Sequence, residues 1–155
     1  MSREHLYKAK RVNWKELPKE EWWVEGYFIE QNHPEYHAYI IKHINIEMDN
    51  RHIDILAHDI VEIDPETICE YTGLTDRKGM KIFENDFVSC RQYTGGNWVE
   101  YCIERGYVEM KHGAFGLHRK QGYYRPFKDW LEDYEYEVIG NIFDNSELLK
   151  GDEVE

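Results

Sequence analysis

Apolar and polar residues alternate with a period of two in several stretches of this chain, the spacing of strands with one face on a core and one in water. Tyr134, Tyr136 and Val138 alternate with Glu135 and Glu137, and Ile44, Ile46 and Met48 with Asn45 and Glu47. Other runs are β-prone by composition: Leu6 to Val12, Trp22 to Ile29, Ala38 to Ile41, Ile53 to Leu56, and Asp59 to Ile63. Turn residues separate them. His33-Pro34-Glu35 breaks the chain, and Asp49-Asn50-Arg51 turns it. Asp76-Arg77-Lys78-Gly79, Thr94-Gly95-Gly96-Asn97 and Lys111-His112-Gly113 each predict a hairpin.

Strands therefore recur about every ten residues, with no long amphipathic helix. Two short helical turns are predicted, one over Pro126 to Leu131 and one after Asp144-Asn145-Ser146 that would dock Leu148 and Leu149. The expected fold is mainly β: small antiparallel sheets curled into barrel or sandwich packing. Asp64-Pro65 suits a turn or the start of a short helix. It divides the chain into an N-terminal β subdomain over residues 1–63 and a barrel-like C-terminal one over 64–149. Residues 150–155 form an acidic tail.

Composition agrees with a sheet protein. Twelve Tyr and five Trp against four Pro, with 41% hydrophobic residues, give a chain of 155 residues enough apolar surface for a real core. No run approaches the roughly 20 apolar residues that cross a bilayer. Cys69, Cys90 and Cys102 lack CxxC spacing, and no apolar leader opens the chain, so reduced thiols in a cytoplasmic protein are expected.

Four segments resemble a known family. They are Trp23 to Phe28, Asp64 to Leu74, Asp76 to Val88, and Val138 to Leu149. Within them Tyr71, Gly73, Asp76, Gly79, Phe83, Asp86, Gly140 and Asn141 carry the pattern. Asn85 stands where a glycine is usual, and Asn is the side chain best suited to positive φ. Together these segments are similar to the YopX family of bacteriophage and prophage proteins. The resemblance implies a mostly β fold of several small antiparallel sheets with mixed sandwich and barrel (SH3-like) character, a phage or prophage origin and life in a bacterial host cytoplasm. It supplies no catalytic residues.

Candidate chemistry is sparse. His33, His37, His43, His52 and His58 lie near Asp54 and Asp59, but Pro34 opposes a helix and no HExxH spacing occurs, so no metal or other cofactor is expected. Cys90 and Cys102 face each other across the Gly95-Gly96 turn as small hydrophobes rather than a redox pair. Acids spaced by two, such as Glu135 and Glu137, are what the wet face of a strand looks like. No catalytic constellation is present, and the chain is not expected to be an enzyme.

The net charge of −12 opposes broad binding to nucleic acid or anionic membrane. One block runs the other way. Residues 105–128 carry Arg105, Lys111, Arg119, Lys120, Arg125 and Lys128 against one acid, interleaved with Tyr107, Phe115, Tyr123, Tyr124 and Phe127. Residues 129–155 follow with ten acids against one Lys. The favoured expectation is a non-enzymatic accessory protein that contacts another protein, of host or phage, or itself. The alternatives are nucleic-acid binding through the basic block, by stacking of bases on its aromatics, or an acidic decoy of a host DNA-binding protein.

Overall fold

Local turn chemistry and alternation build a chain of short strands, seen in a computed structural model that describes residues 4–100, 106–119, 124–127 and 134–150. The strands belong to two units, Met1–Tyr71 and Thr72–Glu155. Two antiparallel sheets result, and neither closes into a barrel among the described residues.

In the first unit β1 (Tyr7–Lys10), β2 (Trp23–Gln31), β3 (His37–Met48) and β4 (Ile53–Glu62) pair antiparallel in the order β4-β3-β2-β1. The segments read separately at Ala38 to Ile41 and Ile44 to Met48 are one strand, as are those on either side of Ala57. The core is small: Ala9, Val24, Ala38, Ile40 and Ile63, flanked by Tyr7, Phe28, Val61 and Ile68.

Beside it Lys10, only 2% exposed, places its Nζ 3.9 Å and 4.4 Å from the ring centres of Trp14 and Trp22. Two single-turn 3-10 helices, Trp14–Glu16 and Lys19–Glu21, bring these indoles to the ammonium. The rings' negative faces replace the water that burial removes from the cation.

Asp64 caps the next 3-10 turn, Pro65–Thr67, by accepting the Glu66 N–H, which is what Asp before Pro suggested. β5 (Cys69–Thr75) then pairs with β1 through Tyr7↔Glu70 and passes into the second unit at Thr72.

In the second unit β5 turns through Asp76 to Gly79 into β6 (Lys81–Phe83). There follow β7 (Asp86–Thr94), β8 (Asn97–Glu100), β9 (Gly106–Lys111), β10 (Ala114–Arg119), β11 (Tyr124–Pro126) and β12 (Tyr134–Asn141). The sheet order is β11-β10-β9-β7-β12, with β8 paired to β7 at the side. Its core holds Ile82, Val88, Cys90, Val108, Phe115, Leu117, Phe127 and Tyr136. Cys90 is a buried thiol, in keeping with its reading as a small hydrophobe, Cys69 is buried too, and Cys102 lies outside the described residues.

Two details differ from expectation. Pro126 ends strand β11 rather than opening the predicted helical turn, which starts one residue later in the 3-10 conformation of Phe127, and residues 128–131 lie outside the described residues. The closing helix α1 (Glu147–Lys150) forms after Asp144-Asn145-Ser146, but Leu148 and Leu149 stay exposed rather than docked. Leu148 and Leu149 are neighbours set about 100° apart around the helix axis, so a single turn does not lay both against one core face.

Candidate interaction surface

The motif residues of the second unit are tied to one another by backbone recognition. Asp76 is buried, and its Oδ1 accepts the N–H groups of Lys78 (2.8 Å) and Met80 (2.9 Å). Its Oδ2 accepts the Val138 N–H of β12 at 3.0 Å, and the Arg77 N–H bonds the Tyr136 carbonyl. One carboxylate thus closes the β5–β6 turn and fastens it to a strand some sixty residues on.

Gly79 makes that turn possible with φ of 81°, and Gly73 has φ of 85°. Tyr71 donates its N–H to the Leu6 carbonyl. The carboxylate of buried Asp86 accepts the Phe83 N–H at 2.8 Å, and Asn85 between them takes φ of 68°. Gly140 sits where any Cβ would come within 2.4 Å of Asn145 Oδ1, at the bulge between Val138 and Gly140. Asn141 Oδ1 accepts the N–H groups of Phe143 and Asp144 and shapes the following turn. Nothing in this set points outward at a substrate.

Arg77 and Lys78 both reach Glu137 on β12, Lys78 Nζ at 2.5 Å. Hydrogen bonds from these two cations hold the Glu137 carboxyl down to about 2.

The basic block is divided by its own sheet. Residues opposite each other in an antiparallel ladder share a face, and neighbours along a strand alternate. The register pairs Lys111 with Ala114, Glu109 with Gly116, Tyr107 with His118, and His118 with Tyr124. Lys111 therefore lies on a face with Tyr107, Glu109, His118 and Tyr124, its Nζ 5.8 Å from the Tyr124 ring centre. On that face His118 Nδ1 stands 3.1 Å from Glu109 Oε1 and its ring stacks on Tyr107. Burial pushes the Tyr107 and Tyr124 hydroxyls up, with the Glu109 charge adding to it.

Arg119 pairs with Gly106 and Arg125 with Leu117, which puts both on the opposite face, that of Val108, Phe115 and Leu117. Arg105, Lys120 and Lys128 lie outside the described residues. The described cations thus do not share one groove.

The histidines do not gather at one point either, and His43 Nε2 lies 3.8 Å from Asp59 Oδ2. His43 and His58 oppose each other across β3 and β4, His37 Nδ1 bonds Glu62 at 2.7 Å, and His52 lies 3.8 Å from Asp49. Among the described residues no group of three or more His, Cys, Asp or Glu stands where it could hold an ion.

The surface that stands out is one that alternation alone misreads. Beyond Ile41 and Ile60, β3 and β4 continue as a two-stranded ribbon with every residue exposed from Lys42 to Ile60. The register pairs Ile44 with Ala57, Ile46 with Ile55, and Met48 with Ile53. These six share one face, and their large side chains are between 38% (Ile44) and 74% (Met48) exposed. The other face carries His43, Asn45, Glu47, Asp54, Leu56 and His58. The Ile44-Ile46-Met48 pattern predicted one wet face; both are wet. At the ribbon's end Asp49 Oδ1 accepts the Arg51 and His52 N–H groups and closes the turn. A continuous apolar stripe on a projecting strand pair is the mark of a contact surface.

The comparisons fit this scaffold. The sequence model of the YopX protein matches residues 14–150, most of the chain. The chain belongs to the YopX family. Across 96% of its length this YopX chain also superposes on a crystal structure of protein EF1440 from Enterococcus faecalis, covering 99% of that chain, with a TM-score of 0.57 at 20% identity. That likeness supports the mainly β fold. No curated protein matches the sequence. Among the described residues no helix is long and apolar enough to cross a membrane.

Proposed function

We propose that this YopX-family chain is a non-enzymatic accessory protein of phage or prophage origin. It works in a bacterial cytoplasm, without a cofactor, by holding a protein against the apolar face of the β3–β4 ribbon. The observation that carries the reading is the stripe of Ile44, Ile46, Met48, Ile53, Ile55 and Ala57, which no other part of its own unit covers. Water-exposed apolar area of this kind costs free energy until a partner removes it. The family motif residues, by contrast, face their own backbone and support a scaffold role.

Nucleic-acid binding through the basic block is the weaker reading, because Lys111 sits on one sheet face and Arg119 and Arg125 on the other. The test is site-specific photo-crosslinking from Ile46 or Ile55, with Gly95, on the exposed β7–β8 turn, as the control position. Crosslinks to protein from the ribbon and not from the control are expected. Equal yields from both positions would remove the ribbon as the working surface.

A further inference from the structure

We propose that the ribbon's partner is a second copy of this chain, an inference that rests on the ribbon being the working surface. Two ribbons pack apolar face on apolar face and antiparallel, related by a two-fold axis that runs across the Ile46–Ile55 pair. That pair is the centre of the stripe, with Ile44–Ala57 on one side and Met48–Ile53 on the other.

The sequence is self-complementary about that axis. Rotation brings β3 over the partner's β3 and β4 over its β4. Ile46 then meets its own copy, as does Ile55, while Ile44 meets Met48. The small Ala57 meets the large Ile53, so the two faces interdigitate instead of colliding. At the margin Lys42, at the ribbon's base, meets Asn50 beside Asp49 at the partner's tip, while the Asp59 carboxylate lies 3.8 Å from His43 on the polar face. Reversal sets the Lys42 end of each stripe against the Asp49 end of the other. An isologous two-fold contact requires this of a single patch. The polar face, with His43, Glu47, Asp54 and His58, stays in water.

Area sets the strength. An aliphatic side chain of this size carries on the order of 100 Å² of apolar surface. The exposed fractions therefore leave roughly 300–400 Å² bare on each copy, in the range of a monomer's largest apolar patch, which is often a functional one. With its charged margins the two-fold contact comes to roughly 1,000–1,200 Å², the lower bound of a specific interface. A dissociation constant on the order of micromolar is expected.

The experiment uses the fact that residue 46 opposes itself. Sedimentation of the full chain over a concentration series should show a monomer passing into a dimer. Ile46→Asp and Ile46→Lys each place like charges across the axis and should weaken self-association at least about tenfold. An equimolar mixture of the two should restore the dimer, because each Asp now meets a Lys. Ile55→Asp and Ile55→Lys form an independent pair with the same logic should either first variant fold poorly. A wild-type chain that stays monomeric throughout overturns the proposal, and so does a mixture no more associated than its components. Photo-crosslinks from Ile46 to a different protein, with a monomeric chain, would leave the ribbon as the working surface and remove only the second copy.

Discussion

Asp76 shows how much one side chain decides. Its two oxygens satisfy three backbone donors, one of them on β12, in a site from which water is largely excluded. Asp76→Ala leaves those N–H groups without their acceptor, at about 1–3 kcal/mol for each that stays dry. A loss of about 3–5 kcal/mol of stability is expected by urea unfolding, and a smaller loss for Asp76→Asn, which keeps one carbonyl acceptor. A change under about 1 kcal/mol for the Ala variant would mean that β12 is held without it. Glu137 adds a pH dependence to the same strand pair. Its carboxyl is held at about 2 against an ordinary 4.5, so its ion pairs with Lys78 and Arg77 support the fold fully above about 4.5. That support fades as pH falls toward 2, where the folded chain must take up the proton. Glu137→Gln should lower stability at neutral pH, and the gap to wild type should close across that acid range in parallel unfolding curves. These residues were legible in the sequence in part. Asp76, Gly79 and Asn85 announce turns because their bonds are local. That Asp76 also reaches Val138 is a tertiary fact with no local signature.

At the scale of elements, the hairpins were readable because Gly95-Gly96, His112-Gly113 and Asp76 to Gly79 fix where the chain reverses, and alternation fixes which residues share a face. Strand β11 was missed: Tyr124–Pro126 is three residues long, ends on a proline, and gains its place only by pairing with β10. The β3–β4 ribbon marks the sharper limit. Period-two spacing says that Ile44, Ile46 and Met48 lie on one face, and the register bears that out. It cannot say whether anything covers the face, because coverage depends on how far the strands outrun β2. Pairing between β2 and β3 stops at Tyr27↔Ile41, and seven residues of β3 continue past it. A hairpin whose apolar stripe is longer than its neighbouring strand is the signal that would have found the surface. The same geometry explains the split of the basic block, since one-letter charge counts ignore the face on which each cation stands.

For the whole molecule the governing quantity is the charge of −12. It repels other anions and, at low salt, opposes the meeting of two identical chains or of this chain with an acidic partner. It equally attracts any strongly cationic protein, which is what an acidic decoy would exploit. Salt separates the two modes. A contact made by the apolar stripe, with charge only at Lys42, Asp49 and Arg51 at its ends, gains little from long-range attraction and loses little when that field is screened. Raising the ionic strength from about 0.01 to 1 M shrinks the Debye length from about 30 Å to 3 Å, which removes most repulsion between the bodies and leaves burial of the isoleucines untouched. Affinity measured at the ribbon should therefore hold steady or rise with added salt, within about tenfold over that range. A decoy would behave in the opposite way, its binding falling by orders of magnitude as ions displace the paired charges. Steep salt sensitivity, together with indifference to Ile46→Asp, would move the working surface from the ribbon to the acidic exterior.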